Sequence, residues 1–97
     1  MITYIGLMSL TEKGMQGIKD TTRRAAEAKE VAKKFGVNMR EIFWTMGECD
    51  LVAVLEAEDE NALAAFNLAI ARQGNVRSRS MRAYSAADME KILAKLP

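Results

Sequence analysis

Histidine is absent from the chain, cysteine occurs once (Cys49), and the single proline is the last residue, Pro97. Each shortage closes off chemistry. Without imidazole the protein lacks the commonest general base, the commonest metal ligand and the usual switch near neutral pH. A histidine-based serine or cysteine triad is impossible in one chain and in any homo-oligomer of it. Carboxylates are then the only plentiful metal ligands, which disfavours zinc, copper and haem, and no metal or cofactor is expected. One cysteine cannot form an internal disulfide, so a reducing cytoplasm is the expected compartment. No apolar run approaches the roughly 20 residues that span a bilayer. The opening MITYIGLM lacks the basic region of a signal peptide. A net charge of +1 gives no field to gather nucleic acid or an anionic membrane. Internal repeats and low-complexity tracts are missing too.

What is present describes one small domain. A chain of 97 residues, 49% of them hydrophobic and 28% charged, can build one core without staples. Residues 2–10, ITYIGLMSL, are apolar on both parities, with Ile2, Tyr4 and Met8 on one side and Ile5 and Leu7 on the other. Such a strand belongs in the centre of a sheet covered on both faces. Thr11 is a helix-cap residue, and Gly14 and Gly17 weaken the turns after it. From Met15 to Phe35 one helix is expected, with Met15, Ile18, Thr22, Ala25, Ala32 and Phe35 on its buried face and Arg23 and Arg24 among the residues elsewhere. Gly36 suits the left-handed position after a helix.

Residues 37–46 read as a second strand, and GECD (47–50) as the reversal into a third, residues 51–57, again apolar on both parities. Acids at 58–60 open a second helix at the positive end of its dipole, and Gly74 ends it. Residues 75–84 form a last strand whose arginines suit an edge. Ser85 caps a short terminal helix, with Asp88 at the capping-box position. The order βαββαβ plus a final helix predicts an α+β, ferredoxin-like sandwich: an antiparallel four-stranded sheet, strand order 4-1-3-2, with helices on one face. The other face is apolar and uncovered, and a second copy packed sheet to sheet is its simplest cover. The terminal helix folding over its own sheet is the competing cover.

The landmarks Tyr4-Ile5-x-Leu7, Thr11-x-x-Gly14, Arg24, Phe35-Gly36, Gly47-x-x-Asp50, Gly74-Asn75-Val76-Arg77 and Arg82-Ala83-Tyr84-Ser85 follow one another along the whole chain. In this order and spacing they resemble the GYD domain family. The resemblance implies a ferredoxin-like domain that assembles as an oligomer of the dimeric α+β barrel type. It supplies no catalytic residues and no established activity. The family's signature reads Gly-x-Tyr-Asp, whereas this chain carries Cys49 in place of the tyrosine.

Candidate sites carry competing readings. Gly47, Cys49 and Asp50 are turn residues if Gly47 takes a positive φ and Asp50 bonds nearby backbone amides. The alternative is a reactive thiol, which the flanking Glu48 and Asp50 disfavour by opposing a thiolate. Trp44, the sole tryptophan, is either packing or a ligand platform. Arg77 and Arg79 share one strand face and Arg82 the other, either as a solvated edge or as a binder of a carboxylate or phosphate. Glu56, Glu58, Asp59 and Glu60 complement a helix dipole rather than a metal. Function divides in two: a non-catalytic homo-oligomeric module that binds a small anionic molecule or a partner, or a cofactor-less enzyme acting through Trp44, Tyr4 or an arginine on a small organic acid.

Overall fold

The computed structural model describes residues 1–97. The first strand, β1 (Ile2–Leu10), leads into α1 (Glu12–Gln16), a 3-10 turn at Ile18–Asp20 and α2 (Thr21–Lys34). Then come β2 (Val37–Trp44), β3 (Leu51–Ala57), α3 (Glu60–Ala71), β4 (Val76–Ala83) and α4 (Ala86–Leu93). The four strands form one antiparallel sheet in the order β2-β3-β1-β4. This is the expected ferredoxin-like α+β topology, with the two doubly apolar strands in the centre.

Alternation along β3 decides where the core lies. Leu51, Ala53, Leu55 and Ala57 are buried, while Val52, Val54 and Glu56 between them are only half-buried. The buried parity meets Val37 and Met39 of β2, Ala32 of α2, and Leu63 and Phe66 of α3. Phe35 and Phe66 close the helix layer with ring centroids 6.2 Å apart at 59°, a tilted contact worth about 0.5–1.5 kcal/mol beyond its buried area. Registry puts Ile5 and Leu7 of β1 beside Val54 and Val52, and Met81 of β4 beside Ile5. These residues lie on the face without helices. A bulge shifts the β2–β3 register between Met39 and Glu41, giving β2 one residue, Arg40, without a cross-strand partner.

The single helix expected from Met15 to Phe35 is instead broken. Gly17 caps α1, and the 3-10 turn resets the phase before α2 begins. Met15 and Ile18, expected on the buried face, are 51% and 39% exposed. Thr22 is exposed as well, and the inward stripe runs through Thr21, Arg24, Ala25, Ala28 and Ala32. A single helical period running from Met15 through Gly17 is out of phase with α2, because the chain turns at Gly17 and starts again at Thr21. At the other end of α2, Gly36 takes φ 75°, the left-handed conformation its place after the helix requires.

The terminal helix does not fold over its own sheet. No residue of α4 is buried, and it makes no extended contact with any other element. Its apolar stripe of Met89, Ile92, Leu93 and, just beyond its end, Leu96 is 37–66% exposed. An eight-residue helix without packing is marginal, so its cap matters more than usual. The Ser85 hydroxyl accepts from Asp88 N–H at 3.1 Å, and Asp88 Oδ2 accepts from Ser85 N–H at 3.2 Å.

These bonds from Ser85 hold the Asp88 carboxyl below the ordinary aspartate range. Because folding lowers this pKa, the cap contributes fully above the unfolded value of about 3.9 and is lost as pH falls through the folded value. Acidification is therefore expected to fray residues 86–93 with the Asp88 midpoint, read from carboxyl and Cα chemical shifts. Ser85→Ala removes the hydroxyl and keeps the Ser85 N–H bond to Asp88, so it should move that midpoint only part of the way back up; an unmoved midpoint would assign the shift to the backbone bond alone.

Candidate functional site

One end of the sandwich gathers a network of side-chain bonds to loop carbonyls and amides. After β1, Thr11 N–H donates to Asn75 O at 3.0 Å, the Thr11 hydroxyl donates to Gly74 O at 2.5 Å, and Lys13 Nζ donates to Gln73 O at 2.8 Å. Three successive carbonyls of the α3–β4 connection are thus held by two residues. The Thr11 hydroxyl also accepts from Gly14 N–H at 3.1 Å, capping α1. Gly14 is buried, and a Cβ there would collide with the Asn75 carbonyl. Gly74 makes its turn at φ 83°.

Arg24 continues this network from α2. Its Nη1 donates to Gly17 O at 2.8 Å and its Nη2 to Gly14 O at 3.1 Å, so the guanidinium satisfies carbonyls around the C-terminus of α1. The acids nearest along the helix are already engaged by Arg23, which lies 2.7 Å from Glu27 and 3.5 Å from Asp20. The hydrogen bond and charge of Glu27, followed by the charge of Asp20, raise the Arg23 pKa. Arg24 itself has no carboxylate within ion-pairing distance.

Beneath Arg24 a cavity of about 70 Å³ opens between α2 and the sheet. Met8, Leu10, Met39, Ile42 and Leu51 line it from the sheet, and Ala25 and Ala28 from α2. Thr21, Arg24, Gln73 and Asn75 add its polar lining. Trp44 lies beside this end, its indole N–H donating to the Thr21 hydroxyl at 3.0 Å.

The β2–β3 connection spans residues 45–50 and is anchored to the same end. Asp50 Oδ2 accepts from Leu10 N–H at 2.8 Å, and Asp50 N–H donates to Met8 O at 2.8 Å. Asp50 O accepts from Thr45 N–H at 2.8 Å, and the Thr45 hydroxyl donates to Cys49 O at 2.6 Å. Asp50 therefore ties the connection to β1, a longer reach than a local turn bond. Gly47 does not adopt the expected positive φ, and a Cβ there would meet open space. The six-residue connection relieves the strain that a two-residue turn imposes. The half-buried Cys49 thiol is free and lies 3.6 Å from the Thr45 hydroxyl, and no lysine or arginine hydrogen-bonds to it.

The remaining candidates do not join this end. Arg77 and Arg79 project from the open face, beside Ser9 and Leu7 of β1. Arg82 is on the helix face at the opposite end, paired in register with Tyr4. Its guanidinium bonds Thr3 O at 3.3 Å and Ala83 O at 2.5 Å and stacks 4.6 Å from the centroid of the exposed Tyr84 ring. The Tyr4 hydroxyl reaches Glu60 only at 3.5 Å. Tyr4, Trp44 and the three arginines thus occupy three separate places. Glu56 is held by Arg40 at 3.1 Å and Asn38 at 3.4 Å, away from Glu58–Glu60. Arg24, a landmark of the resemblance expected outside the buried face, lies on the inward side because α2 starts at Thr21, which puts Thr21, Arg24, Ala25 and Ala28 on one stripe.

Among the residues that fix this end, Thr11, Gly14, Arg24, Asp50, Gly74 and Asn75 are also landmarks of the sequence resemblance. The GYD domain family model matches residues 4–93. The chain belongs to the GYD domain family. A relative from Thermus thermophilus, named glutamine synthetase and cystathionine beta-lyase binding protein, is 32% identical over 90 residues, 92% of this chain and 95% of the relative. Among solved structures, the crystal structure of TTHA0845 from Thermus thermophilus shares the fold at a TM-score of 0.58 and 22% identity, over 89% of this chain and 96% of that one.

Two stability outcomes follow from this GYD domain's anchored end. Gly14→Ala forces the Asn75 carbonyl to move and should cost about 1–3 kcal/mol in urea denaturation, whereas Gly6→Ala, with open space at its Cβ, should not destabilise. Asp50→Ala leaves Leu10 N–H without its charged acceptor and should cost about 1.5–3 kcal/mol, while Cys49→Ser should leave the melting temperature nearly unchanged. Equal effects at positions 49 and 50 would contradict the anchoring role of Asp50.

Proposed function

We propose that the protein is a cytoplasmic, non-catalytic interaction module that works as a homo-oligomer and docks on a larger protein. The observation that carries this is the uncovered apolar face of the sheet. Ile5, Leu7, Val52, Val54, Phe43 and Met81 share that face, with Phe43 54% and Met81 50% exposed. A monomer gains nothing by leaving central-strand valines half in water, and a contiguous patch of this kind is where association recovers hydrophobic free energy. The stripe on α4 is a second uncovered surface. Two apolar surfaces allow self-association through one and partner docking through the other.

Charge at the rim supports a two-fold pairing. Arg77 and Arg79 lie on the β4 edge of the open face, and the exposed Glu41 lies on its β2 edge beside Val54. A two-fold axis parallel to the strands sets the arginine edge of one copy against Glu41 of the other, favouring one register. For the docked partner, the name of the Thermus thermophilus relative supplies the precedent: enzymes of the kind it is named for, glutamine synthetase and cystathionine beta-lyase. The alternative is a cofactor-less enzyme acting through Trp44, Tyr4 or an arginine on a small organic acid; Tyr4, Arg77, Arg79 and Arg82 lie apart from Trp44, and no two of these groups converge as a nucleophile and base.

Sedimentation equilibrium at micromolar concentration should give a mass at least twice the 10.8 kDa of the chain. Val54→Lys, which puts a charge at the centre of the open face, should return it to a folded monomer with unchanged circular dichroism. A wild-type monomer would overturn the self-association. Titration with purified glutamine synthetase and cystathionine beta-lyase of the same organism tests the docking; binding to neither would remove the precedent as support.

A further inference from the structure

We propose that the cavity between α2 and the sheet binds a small aliphatic carboxylate, its charged head on Arg24 and its hydrocarbon tail among Met8, Ala25, Ala28 and Leu51. The site lies on the helix side of the sheet, away from the open face, and does not depend on the interaction role. Arg24 is the one charged residue lining the cavity. It is half-buried, and its contacts are backbone carbonyls rather than a counter-ion. A guanidinium has five N–H donors in a fork that matches a carboxylate, and the two carbonyl bonds leave donors free. A partly desolvated cation without a counter-ion is the least settled charge of this end, and an anionic ligand would neutralise it.

The walls decide what kind of anion. Inorganic phosphate would gain from Arg24 but would place its remaining oxygens against methionine, leucine and alanine side chains. A hydrocarbon tail gains from the same walls. At roughly 10–15 Å³ of such space per water, a cavity of about 70 Å³ holds about five waters, or a tail of about that many heavy atoms. No acidic side chain lines the cavity, so an amino acid would bury its ammonium group without a counter-ion. The site therefore prefers a simple acid, or a 2-oxo acid whose carbonyl can use Thr21, Gln73 or Asn75, over the matching amino acid.

The chain carries its own reporter. Trp44 is the sole tryptophan and its indole is bonded to Thr21, a cavity residue. Titration with straight and branched monocarboxylates of roughly three to six carbons, 3-methylbutanoate and 4-methyl-2-oxopentanoate among them, should change Trp44 fluorescence saturably, with matching heat in calorimetry. The neutral isostere 3-methylbutanamide should bind roughly tenfold to a hundredfold more weakly, the range of a charged hydrogen bond, and leucine should compete poorly. Ala25→Leu fills the cavity from α2 without touching Arg24, and should abolish binding while keeping or raising the melting temperature. Arg24→Gln should abolish it as well; should that variant unfold, Ala25→Leu and the amide carry the test alone. Silence toward the whole acid series, equal binding of acid and amide, or full binding by Ala25→Leu would each overturn the site. None of these outcomes bears on the mass of the protein, so a failed carboxylate site and a failed interaction role are distinguishable.

Discussion

The grip of Thr11 and Lys13 on the carbonyls of Gln73, Gly74 and Asn75 is the constraint around which the rest of the structure is arranged. It joins the residues after the first strand to those before the last, fixing β1 and β4 as neighbours at the point where their pairing begins. Gly14 has to lack a side chain because the Asn75 carbonyl occupies that space. Arg24 then takes the Gly14 and Gly17 carbonyls, and Asp50 takes the last amide of β1. Satisfying these backbone groups one after another fixes the place of α2 over the sheet, and the cavity is the gap left between them. The gap is lined by alanines at 25 and 28, too short to reach the opposing methionines and leucines.

The two faces of the sheet divide the chemistry. The helix face has a dense core and a polar rim, and every buried polar side-chain atom there has a partner. The opposite face has valine, leucine, isoleucine, phenylalanine and methionine with nothing over them, and α4 extends without packing at the far end. Water contact at central-strand side chains forgoes about 25 cal/mol for each Å² left uncovered. The fold is therefore complete as a topology while its apolar surface remains only partly covered.

Strand order was legible because parity is a local property: Ile5 and Leu7, or Val52 and Val54, declare a second apolar face without reference to anything distant. The edge character of β4 was legible from its arginines in the same way. Helix phase was less so, because a period counted from Met15 runs through Gly17, where the chain makes a 3-10 turn and starts again. The shift placed Arg24 on the solvent side and hid the polar member of the inward stripe. Gly47 failed for a different reason. Its expected conformation presupposed a tight turn, and a bond from Asp50 to Leu10, 40 positions away in the chain, made a longer loop stable instead. Long-range hydrogen bonds of this kind leave no periodic trace, and neither does the absence of a packing partner for α4.

The position of β1 has a consequence for the protein during its own synthesis. Its two neighbours are β3, which ends at Ala57, and β4, which ends at Ala83, near the C-terminus. Until the last strand leaves the ribosome, a nine-residue strand apolar on both sides is an open edge, with a row of unpaired amides and carbonyls along it. A nascent chain interrupted near Gly74 would expose the pairing surface most apt to recruit another unfinished copy. Arg77, Arg79 and Arg82 arrive on the strand that closes that edge, so the residues that complete the sheet also leave it a charged border that resists further pairing.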